Sequence, residues 1–441
     1  VKNKNFFIIF CISTFTVLLL QNSLIYIYGH GLSTDSSVPV DISGKSIVVE
    51  TTLTPAFIED PVDFSNTKFL LRIFDKLINQ TISNIDYDIK IYSGPESLLN
   101  LCINSSNGFF VSHLVPEKEL LQPIINTPTG EILNPGSCLI DTKPGDIFKI
   151  RSKVLSDGGL FHISVILKKT SKGLPLDNDI KTDLFISIGK NYFLDVINYD
   201  REKEKLIIKS YYDSIKNIDY NVENKTLSFF MPFNWDPIYI QQIPFLHLEF
   251  VIPKKLDLSK TNSYNGLIFD KNLPTRSMVV DDFTDPNSRI VHMVLNKDQL
   301  DQLSRQIYLK DIINNENNQT LTPFKIFAMK KPKFPLDILT TNEKYLFQIS
   351  WNPPIITPLT PINFVMNLQD PTNGDLLRHS SFDFVITDEN KIIHTEKLKS
   401  PFGGFAYQYT FNKAISKNPS IIIDKINGGS ERAVLNLFIQ K

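Results

Sequence analysis

The residues whose types could do chemistry are few and scattered. Seven histidines stand at His30, His113, His162, His247, His292, His379 and His394, none of them two, three or four positions from another. His247 and His292 lie in strand-like runs of one predicted domain. If those strands meet across a sheet, the two imidazoles make a copper or zinc site; otherwise they are ordinary hydrogen-bonded histidines. His30 offers a different route. Cleavage after Gly29 would set a free α-amino group beside its imidazole, a chelate that suits copper, and cleavage after Ile27 would put it third, another copper-binding arrangement. Without such cleavage it belongs to a polar stretch. Asp281, Asp282 and Asp285, with Asn287, gather oxygen donors that suit calcium, and Asp177-Asn178-Asp179 does so on a smaller scale. Neither follows the EF-hand spacing, and solvated turns share this composition.

Catalytic signatures are missing. Ser43-Gly44-Lys45-Ser46 resembles the end of a phosphate-binding loop, but Pro39 occupies the place of its first glycine. There is no H-E-x-x-H, G-x-S-x-G or C-x-x-C. The expectation is a protein that is not an enzyme, with an enzyme assembled from residues distant in sequence as the weakest of three classes.

Cys11 sits in an apolar N-terminal segment, which leaves Cys102 and Cys138 as a lone pair. Outside the cytoplasm such a pair is expected to be oxidised. Sequons at Asn79, Asn104, Asn224 and Asn318 are candidate glycosylation sites, in a number that chance alone accounts for in so Asn-rich a chain.

The elements that must position these residues read as strands. The chain is rich in Ile, Phe, Tyr and Thr, which suit a pleated, half-buried surface. Ile85, Tyr87, Ile89 and Ile91 alternate on one face of IDYDIKIY, the pattern of a half-buried strand. Lys297–Ile307 places Leu300, Leu303 and Ile307 at helical spacing, which predicts one short amphipathic helix. The predicted fold is all-β: tandem immunoglobulin-like sandwiches over residues 44–172 and 314–441 flank a β-rich middle domain over 173–313 with one short helix. Residues 30–43 read as a flexible linker, and Ser171–Asp179 as a second one. Residues 95–145 read as an insertion carrying both cysteines. A repeat supports the tandem arrangement. Asp75 and Asp88 are spaced as Asp370 and Asp383 are, and each copy then reaches a Gly-Gly turn, at Gly158-Gly159 and Gly428-Gly429.

Location is the firmest expectation. Lys2 and Lys4 precede an uncharged run from Phe6 to Tyr28, the pattern of a signal peptide over residues 1–29 or of a helix that stays as a membrane anchor. With 46 basic and 47 acidic residues the chain carries no basic block for nucleic acid. The order of signal segment, His30-Gly31, flanking sandwiches, SYYDSIKNIDYNVENKTLSFFMPFNWD (Ser210–Asp236) and RIVHMVL (Arg289–Leu295) resembles secreted or cell-surface β-sandwich proteins of ammonia-oxidising archaea (Thaumarchaeota). That resemblance implies a cell-surface setting and no catalytic motif; many members carry a C-terminal sorting tail, whereas this sequence closes on NLFIQK. The expected function is an exported binding or structural protein, with cell-envelope proteins or glycans as partners and the membrane through the N-terminal segment. The alternative is an extracellular copper protein using His30.

Overall fold

The computed structural model describes residues 33–54, 67–93, 96–117, 119–133, 140–198, 200–307, 319–341, 344–371 and 374–440. The Phe6–Tyr28 segment, His30, Cys138 and Asn318 lie outside them. The fold is all-β. Among the described residues the one helix longer than a single turn is Lys297–Ile307, with the bounds the periodicity predicts, and it buries Leu300, Leu303 and Ile307. No helix among them is long and apolar enough to cross a membrane.

Three large apolar cores organise the chain. The first lies between a nine-stranded and a five-stranded sheet and runs from Ile42 to Ile188. This extends the predicted first domain in both directions. The expected linker 30–43 instead forms strands Thr34–Ser36 and Val40–Ile42, both paired with Lys45–Thr54. The second predicted linker is packed too: Leu174 is buried, and the Gly173 amide donates to the Asn84 carbonyl. The strand after it, Ile180–Ile188, pairs along its whole length with Gly159–Leu167 and sends Leu184, Ile186 and Ile188 into the first core. Much of the expected insertion 95–145 is sheet as well, since Glu96–Ser105 and Phe109–Pro116 pair with Ile85–Ser93 and Lys68–Asp75.

The other two cores share a sheet. Its nine strands run in the order Lys190–Ile197, Lys203–Ser210, Phe245–Pro253, Ser288–Asn296, Met278–Asp281, Leu336–Leu339, Leu346–Asn352, Pro361–Gln369 and Gly404–Thr410. The seam is the parallel pairing of Met278–Asp281 with Leu336–Leu339. Val280 and Ile338 are neighbours across it on one face, Val280 in the middle core and Ile338 in the last. The five-stranded layer that closes the middle core and the four-stranded layer that closes the last therefore cover the same face of this wide sheet. Gln319–Ala328, expected in the last domain, is the central strand of the five-stranded layer, between Thr226–Asn234 and Tyr264–Ile268. The boundary thus lies beyond residue 328 rather than at 314.

The repeat holds for the first landmark and breaks at the second. Asp75 and Asp370 each stand at a strand end, and Asp88 and Asp383 lie on strands of the facing sheet. After the Gly-Gly turns, however, Gly159–Leu167 pairs directly with the Asp88 strand, whereas Ala433–Asn436 lies one strand away from the Asp383 strand.

Candidate functional site

The face of the wide sheet turned away from the cores carries the site. Leu246, Leu248, Phe250 and Ile252 fill the middle core, so strand alternation puts His247 and Glu249 on the opposite face. On the neighbouring strand Val291, Met293 and Leu295 face the core, which leaves His292 beside Glu249. Register partners extend this row across the sheet: Asn191, Lys209, Glu249, His292, Val279, Asp337, Gln348 and Asn367. From Glu249 to Gln348 every member is buried.

Two polar networks are built on this row. In the first, His247 Nε2 lies 3.3 Å from His292 Nδ1, and each of these atoms lies 3.8 Å from Glu249 Oε1. The Tyr211 hydroxyl donates to the same oxygen at 3.0 Å and its ring stacks on His247, with centroids 4.8 Å apart. Lys209 Nζ lies 3.0 Å from the other oxygen, Oε2. Burial pushes the Glu249 carboxyl up, but His292, His247 and Lys209 outweigh it and hold it below its ordinary range. His292 Nε2 has no hydrogen-bond partner among the described residues. In the second network Arg276 Nε and Gln348 Nε2 donate to Asp337 at 2.9 and 2.6 Å, and Gln369 donates to Gln348. Burial pushes the Asp337 carboxyl up further than Arg276 and Gln348 bring it down. A cleft lined by Thr275, Arg276, Lys333 and Asp337 opens beside it.

Sequence reading therefore named His247 and His292 and missed Glu249, Tyr211 and Lys209. The signal for Glu249 is its spacing: His247 and Glu249 are two apart in FLHLEFVIP, hence on one face of any strand. The two imidazoles lie within hydrogen-bond distance, and with the carboxylate they form the one group of three metal-ligating side chains found among the described residues.

The aspartates of the predicted calcium cluster have partners within the protein. Both oxygens of Asp282 accept from Arg289, at 2.7 and 2.6 Å, and Oδ2 also accepts from the Asn436 amide. Asp281 accepts from the amides of Phe283 and Thr284, and Asp285 from that of Asn287. Each carboxylate is spent on its own turn or ion pair. Arg289 is fully engaged: it also donates to the carbonyls of Ser259, Thr261 and Asn436 and lies 5.1 Å from the Phe438 ring. These bonds fasten the last strand, Ala433–Asn436, to the middle unit.

Of the described sequons, Asn79 and Asn224 are exposed in turns, whereas the Asn104 amide donates to Asp86 at 2.7 Å. Cys102 lies on strand Glu96–Ser105 opposite Asp88.

No family model matches this chain, and no curated protein matches it. Among solved structures it is similar to a β-D-mannosidase from Dictyoglomus thermophilum (9% identity, TM-score 0.19), covering 57% of this chain and 36% of that one. It is also similar to pT26-6p (5%, TM-score 0.19), covering 93% of this chain and 66% of that one, and to a tetra-tandem repeat in the extending region of a large adhesion protein (8%, TM-score 0.16), covering 88% and 98%. At these scores the likenesses bear on neither fold nor function.

Proposed function

We propose that this chain is an exported structural protein of the cell surface, in which fused β-sandwiches form a stiff spacer. The observation that carries the reading is the shared sheet. Bending the chain between its second and third cores would break the Met278–Asp281 to Leu336–Leu339 ladder and expose the Arg289–Asp282 pair. Ordinary linked domains meet through smaller, more polar contacts and move against each other.

Export rests on the Phe6–Tyr28 pattern, and a Cys102–Cys138 disulfide belongs to the same reading. Strand Ile140–Thr142 runs parallel to Glu96–Ser105, with Ile140 opposite Ile103. Partners in the cell envelope, protein or glycan, would attach to the outer faces of such a spacer.

Labelling intact source cells with a membrane-impermeant amine reagent tests the reading. Modified lysines from all three units, without lysis, are expected; modification only after lysis would defeat it.

A further inference from the structure

We propose that His247, Glu249 and His292 bind one divalent first-row transition ion of the zinc class. The inference is independent of the spacer reading. The three facing atoms, His247 Nε2, His292 Nδ1 and Glu249 Oε1, form a triangle with sides of 3.3, 3.8 and 3.8 Å. The point in their plane that is equidistant from them lies about 2.1 Å from each, the length of a zinc bond to imidazole nitrogen or carboxylate oxygen, about 2.0–2.2 Å.

The donor set and its surroundings agree. Two imidazoles and one carboxylate suit a borderline divalent ion better than calcium or magnesium, which take oxygen ligands. All three side chains are buried on adjacent paired strands, so the backbone ladder fixes their spacing. Lys209 engages Oε2, which directs the carboxylate to bind through Oε1 alone. Tyr211 donates to Oε1, an oxygen with two lone pairs and so with room for a second partner. Both contacts are the outer-shell supports that metal-binding carboxylates need. Binding requires both facing nitrogens to be bare, so the imidazole that donates in the His247–His292 hydrogen bond moves its proton to its other ring nitrogen.

The experiment uses the full chain stripped with a chelator. Titration calorimetry with Zn²⁺ is expected to show one ion per chain at micromolar affinity or tighter, and X-ray absorption of the loaded chain two imidazoles in the first shell. Glu249→Gln and His292→Gln keep hydrogen-bonding capacity and are expected to weaken binding by at least about 100-fold, beyond the effect of losing an outer-shell contact. Unchanged affinity in both variants would overturn the proposal and move the ion elsewhere, His30 included. Should the variants not fold, the absorption spectrum of the unaltered chain decides: a first shell of oxygen alone, or no binding, overturns it. Neither result touches the shared-sheet argument.

Discussion

Val280 and Ile338 stand side by side on one face of a single sheet, yet the first packs into the middle core and the second into the last. Two units that look separate along the chain are joined by main-chain hydrogen bonds. The stability of each should then depend on the other.

Arg289 is where that dependence is most exposed to mutation. Its guanidinium is buried, and burial, which favours the neutral form, is outweighed by Asp282 and Tyr264, so it stays charged. Arg289→Ala would leave Asp282 buried with only the Asn436 amide. The expected loss is about 3–5 kcal/mol, the cost of breaking a buried pair from one side. Urea unfolding checks it, and a loss below about 1 kcal/mol would show that the pair does not hold the seam.

The helix supplies a simpler test. Leu303→Ala is expected to cost about 2–5 kcal/mol, since the side chain is buried against the middle core. Gln306→Ala, on the exposed side of the same helix, is expected to fall within about 0.5 kcal/mol of the parent.

This helix also shows what was legible in the sequence. Leu300, Leu303 and Ile307 announce an apolar stripe, and nothing else in the chain competes with that pattern. Long alternating strands such as Ile85–Ser93 were equally plain. Thr34–Ser36 was not, because three polar residues carry no periodicity. They are held by the partner strand and by Asp35, whose carboxylate accepts from the Phe185 amide. The extent of the first unit was hidden for a related reason: Leu174 is one buried leucine in a stretch whose Pro, Gly and charge read as linker. His247 and His292 were legible as a possible pair. The wide sheet was not, since its seam joins strands more than fifty residues apart and leaves no local mark.

Asp337 should make stability depend on pH. Its folded pKa is raised above the ordinary aspartate range, chiefly by burial. Its favourable contribution is then complete below the unfolded pKa and is lost as pH rises through the folded one. Melting temperatures of the parent and of Asp337→Asn, measured together from pH 4 to pH 8, should show the parent losing ground to the variant as pH rises. A constant or opposite difference would contradict the assignment.

The cysteine pair can be checked without mutation. A Cys102–Cys138 bridge should appear as a linked peptide under non-reducing digestion. Its reduction should cost about 3–4 kcal/mol, from the chain entropy regained on unfolding. Free thiols in carefully oxidised material would remove that feature from the reading.

Hydrogen exchange across a urea series tests the shared sheet most directly. Amides of Phe245–Pro253 in the middle unit and of Leu346–Asn352 in the last are expected to lose protection at the same urea concentration, as parts of one cooperative body. Loss of protection in Leu346–Asn352 while Phe245–Pro253 stays closed would mean two independent domains, and the stiff-spacer account would be wrong.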